Sequence, residues 1–76
     1  MKAIVLAERL GVYELPDTDS EEKSAVFSGQ ELELSPMLMS HGLVFGYIAK
    51  PLDLEGFWVA TGPADDQERW IKKVKQ

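Results

Sequence analysis

Apolar runs along this chain are short, and each is stopped by glycine, proline or a polar cluster. Ala3 to Ala7 ends at Glu8, Ala25-Val26-Phe27 ends at Ser28-Gly29, Leu43 to Ala49 ends at Lys50-Pro51, and Phe57 to Thr61 ends at Gly62-Pro63. Between them, Leu32 and Leu34 alternate with Glu31, Glu33 and Ser35 in the period-2 pattern of a half-buried strand. Short strands spaced by turn chemistry predict an all-β fold, a small barrel or sandwich.

The chain has 76 residues and no cysteine, so one domain spanning 1–76 is expected, without disulfides or thiolate metal sites to reinforce it. Its core must hold the fold unaided. Phe27, Phe45, Phe57, Tyr13, Tyr47, Trp58 and Trp70 supply large apolar side chains for that purpose. The run from Ala3 to Ala7 is too short for the apolar part of a signal peptide, and no stretch approaches the ~20 residues that span a bilayer. With the missing cysteines, this points to the cytoplasm.

Lys2 to Leu15 reads as two strands, or one strand kinked at Gly11. Pro16 to Ser24 follows as a polar, turn-rich loop. Pro36 to Gly42 interrupts the strand pattern, which places Pro36, Met37, Leu38 and Met39 at a hairpin tip. Leu52 to Gly56 is a turn. Pro63 to Lys75 carries two readings. It closes the sheet as a strand around Trp70, or it forms a helix, with Asp65, Asp66 and Glu68 in the first turns, bases in the last, and Asp65–Arg69 and Glu68–Lys72 pairs four residues apart. The second reading turns the fold into an antiparallel sheet plus a short C-terminal helix.

Three stretches carry a family likeness: Val12 to Thr18, a strand entering a proline-headed polar loop; Ala25 to Leu32, a strand, glycine turn and strand; and Gly56 to Thr61 with Arg69-Trp70-Ile71 after a polar hairpin. In these the chain resembles the bacterial SH3-like domains. The resemblance implies a small antiparallel barrel with Trp70 on its closing strand. It departs from the family between Ser35 and Leu54, which is longer by a hairpin.

Catalytic patterns are not assembled in the sequence. The sole histidine, His41, sits between Ser40 and Gly42 in an expected turn, and neighbours in sequence seldom form a dyad. Asp17-Thr18-Asp19-Ser20-Glu21-Glu22 has oxygens at alternate positions, but Glu22 stands where a calcium loop requires glycine and Ser28 where it requires the closing glutamate. No phosphate-binding or dinucleotide motif is present, so neither cofactor nor metal is expected.

Charge divides the chain: four bases and thirteen acids lie at or before Glu68, and four bases with no acid follow it. The net charge of −5 disfavours phosphate backbones, and a basic or proline-rich protein segment is the better partner. In SH3-like domains that bind proline-rich peptides, loop acids meet a ligand cation beside an aromatic groove. By position this assigns Asp17, Asp19, Glu21 and Glu22 as the acids and Tyr13 and Trp58 as the aromatics. Exposed methionines suit adaptable contacts, so Met37 and Met39 form a second candidate surface. The expected function is non-enzymatic protein or peptide binding, as an adaptor or inhibitor of a larger assembly. Cell-wall binding and nucleic-acid regulation, including mimicry of a nucleic-acid backbone, are the alternatives.

Overall fold

A computed structural model describes residues 1–65 and 69–74. Seven strands, β1 (Lys2–Val5), β2 (Arg9–Tyr13), β3 (Glu22–Phe27), β4 (Glu31–Ser40), β5 (Leu43–Lys50), β6 (Trp58–Pro63) and β7 (Ile71–Lys73), make one sheet. A single 3-10 turn, Leu52–Leu54, links β5 to β6. The strand order is β3-β2-β6-β5-β4-β1-β7, with every pairing antiparallel. The all-β expectation holds.

Seven strands laid flat would put β3 and β7 six spacings of ~4.8 Å apart. Yet Val26 of β3 and Ile71 of β7 belong to one buried cluster with Ala3, Val5, Leu34, Ile48 and Val59. The sheet therefore coils round a single core. Alternation dictates which residues enter it: Ala3 and Val5, Leu10 and Val12, and Leu32 and Leu34 point inward from their strands, two residues apart. Gly46 belongs to the same face, where a Cβ would stand 3.0 Å from Leu34 Cδ1, so glycine lets β4 side chains pack onto the β5 backbone.

Three sequence expectations change. Pro36 to Gly42 does not interrupt β4, because the β4–β5 register shifts between Leu34 and Met37. A bulge there absorbs residues that the ladder would otherwise have to pair, including a proline with no N–H to give. The hairpin tip is instead His41-Gly42, both with positive φ (52° and 76°), as a two-residue type I′ turn requires. Met37 and Met39 thus lie on the strand before the tip.

Glu22 is likewise on β3 and not in the preceding loop, since the strand begins three residues earlier than its apolar run. Finally, the described part of Pro63 to Lys75 contains no helix. Trp70 stands one residue ahead of β7, its N–H donating to Thr61 O and its carbonyl accepting from Leu6 and Ala7 N–H. Those long-range backbone bonds replace the local ones a helix would have made. Glu68 and Lys75, part of the helix reading, lie outside the described residues, as does Asp66. Among the described residues no helix is long and apolar enough to cross a membrane.

Candidate functional site

Because Leu10 and Val12 point into the core, Arg9, Gly11 and Tyr13 point from β2 to the opposite, outer face of the sheet. Ala60 of β6 shares that face, being one residue from the inward Val59. Tyr13 is in register with Trp58, and Trp58 with Tyr47, so three aromatic residues cross the outer face of β2, β6 and β5 in one row. The Trp58 and Tyr47 rings meet edge to face with centroids 5.3 Å apart.

Beside this row lies an open groove of about 450 Å³, floored by Gly11 and Ala60 and walled by Tyr13, Thr18, Leu43 and Trp70. Arg9 also borders it. Glycine at position 11 lets the Glu22 carboxylate and the Tyr13 ring lie close over β2 beside the groove. A Cβ there would collide with Glu22 Oε1 and stand 2.8 Å from the Tyr13 hydroxyl.

The polar segment between β2 and β3 carries Thr18 over the groove, and it is braced from within. Asp19 N–H donates to Asp17 Oδ1 at 2.9 Å, an Asx turn, and the Ser20 hydroxyl donates to Asp17 O at 2.6 Å. Asp17 Oδ2 also comes within 3.7 Å of His41 Nε2 at the β4–β5 tip. The acidic loop and the β4–β5 hairpin, separate surfaces in the sequence, therefore meet over the groove.

The four predicted acids are not equivalent. Glu22 accepts from Arg9 Nη2 at 3.0 Å, a bond that holds its carboxyl below the usual carboxylate range and raises the guanidinium in turn. Glu21 is bound by Lys23, whose ammonium it raises. Asp17 faces His41, while Asp19 and Glu14 have no cation within ion-pair distance among the described residues. The loop thus keeps a negative balance after its internal pairs are formed.

No protein-family model, curated protein or solved structure matches the chain.

Of the predicted site residues, Tyr13 lines the groove, Asp17 and Asp19 flank Thr18 at its rim, and Glu21 and Glu22 follow on the same side. Trp58 packs on Tyr47 instead of lining the groove. Met37 borders a different cavity with Met1 and Ile71, and Met39 is 66% exposed on β4. Sequence reasoning did not select Arg9, Gly11, Thr18, Leu43, Ala60 or Trp70 for the groove. Only Gly11 carried a signal, since glycine inside a strand marks a bulge or a close approach, and here it marks the second.

The Arg9–Glu22 pair has a defined pH dependence. Glu22 has a lowered carboxyl pKa in the folded protein, so its contribution to stability is present at neutral pH and is lost as pH falls through that lowered value. Glu22→Gln is expected to lower the melting temperature slightly at about pH 7, and the difference should shrink toward zero as acid is added and the carboxylate is protonated through its lowered range. Thermal melts of both proteins across that range check it. A gap that persists in acid would assign the effect to packing.

Proposed function

We propose that this chain is a non-enzymatic binding module that takes an extended, basic or proline-rich segment of another protein into the outer-face groove. The observation that carries the reading is the groove itself: an apolar floor at Gly11 and Ala60, aromatic walls at Tyr13 and Trp70, and the acidic Asp17–Glu22 segment along one rim. Polyproline segments suit such a surface because they are already extended, lose little entropy on docking and stack on aromatic rings. A cation in the segment would meet Asp19 and Asp17.

The test is a titration with a proline-rich decapeptide carrying two arginines, followed by tryptophan fluorescence. Saturable binding is expected that weakens as salt rises, with the glutamate counterpart of the peptide binding at least tenfold more weakly. Equal binding of both peptides, or no saturation up to millimolar concentration, overturns the reading.

A further inference from the structure

His41 is the single histidine of the chain and there is no cysteine, so it is the one side chain of a type that ordinarily changes charge between about pH 5 and pH 8. Across residues 34–49, most of the β4–β5 hairpin, no other residue carries a charge. The turn itself does not call for histidine. The first position of a type I′ turn, where His41 has a φ of 52°, is most often asparagine or glycine.

What the ring meets is Asp17. Its Nε2 lies 3.7 Å from Asp17 Oδ2, too far for a hydrogen bond. A neutral imidazole has a proton on one nitrogen only, whereas both nitrogens of an imidazolium donate, and a charge-assisted N–H···O bond closes to about 2.7–2.9 Å. Protonation is therefore expected to draw the hairpin tip and the acidic loop together by about 1 Å. Asp17 also braces its own loop, since Oδ1 accepts from Asp19 N–H and its carbonyl oxygen accepts from the Ser20 hydroxyl. A pull on Oδ2 is carried through that brace to Thr18, which walls the groove. Two more acids are close in the chain to these groups: Asp19 on the same turn as Asp17, and Asp65 next to Ala64, whose N–H donates to Gly42 O at the tip.

We propose that His41 and Asp17 form a proton-operated clasp at the rim of the groove. As pH falls, the protonated imidazole takes Asp17 Oδ2, closes the acidic loop onto the β4–β5 tip and withdraws that carboxylate from the cation of a bound segment. The segment is released in acid, because its arginines stay charged while one of the acids that meets them is occupied. That release rests on the groove being the site for a basic segment. The clasp itself does not.

The experiment has two parts. In the first, the free 15N-labelled chain is titrated from about pH 8 to about pH 5, with H41N, D17N and D65N variants in parallel; asparagine at position 41 suits the positive φ, so the turn is kept. The amides of residues 17–20 are expected to shift with the same midpoint as the His41 ring protons, to stay still in H41N and D17N, and to respond as before in D65N. Loop amides that do not follow the ring, a response that persists in H41N, or one lost in D65N and kept in D17N overturns the clasp. In the second part, affinity for the arginine-bearing proline-rich decapeptide is expected to fall roughly two- to fivefold between about pH 7.5 and pH 5.5, and to stay level in H41N, the size set by an exposed ion pair. Unchanged or higher affinity in acid, or an equal fall in H41N, overturns the release. A peptide that binds at neither pH overturns the groove reading and the release with it, while the amide titration of the free wild-type chain decides the clasp by itself.

Discussion

Phe45→Ala is expected to remove about 3–5 kcal/mol of folding stability, the usual cost of emptying a buried phenylalanine site. A domain of this length holds on the order of 4–11 kcal/mol in total, so the variant should be largely unfolded near body temperature. Phe45 is completely buried, the only aromatic side chain that is. It does not belong to the main core: Ile48, three residues on, faces that core, so Phe45 faces the other way. There it lies in register between Leu38 of β4 and Ala60 of β6. Since Ala60 is also groove floor, Phe45 is its cross-strand neighbour at the edge of the binding surface. Urea unfolding followed by far-ultraviolet circular dichroism measures the loss. A change under about 1 kcal/mol would mean that the outer layer collapses freely onto the cavity, and that Phe45 does not support the groove.

Gly11→Val is the second large effect, and it separates binding from folding. The new side chain takes the space over β2 that the Glu22 carboxylate and the Tyr13 hydroxyl occupy, displacing both. Both are ends of flexible side chains on the outer face and can swing away, while valine suits a strand backbone. Stability is therefore expected to change by no more than about 1 kcal/mol. Affinity for the arginine-bearing proline-rich peptide should fall at least tenfold, because floor, wall and the Arg9–Glu22 pair are all disturbed together. Isothermal titration of the variant, with a urea curve as control, provides the comparison. Full affinity in a folded Gly11→Val protein would place the ligand elsewhere.

The same face explains why the aromatic candidates divided as they did. Tyr13 and Trp58 are in register across β2 and β6, but Trp58 turns toward Tyr47 while Tyr13 lies back over Gly11. Register brings them side by side, and neighbouring glycine and tyrosine determine which one borders open space. Trp70 reaches the groove from the far side of the chain because its backbone is bonded to both Thr61 and the residues after β1. A local reading of its charge pattern has no access to either bond.

The strands were legible wherever local chemistry acts alone. Leu32 and Leu34 alternate with acids and form β4's inward face, and Gly29 turns the chain with φ of 89° between β3 and β4. The acidic loop was visible in its composition, and its internal Asx turn follows from Asp17 preceding Asp19 by two residues.

Short, punctuated apolar runs without cysteine determined by themselves that this chain is an antiparallel all-β protein relying on its apolar core, because period, turn residues and missing disulfides are properties of neighbouring residues. Three things depended on the tertiary structure. The bulge that carries β4 past Pro36 requires β5 as partner, the strand identity of Ile71 to Lys73 requires β1, and the groove requires Gly11, Ala60, Thr18 and Trp70 from four separate segments. Each is a long-range pairing, and its bonds overrule local preference only once the sheet has coiled and brought those segments together.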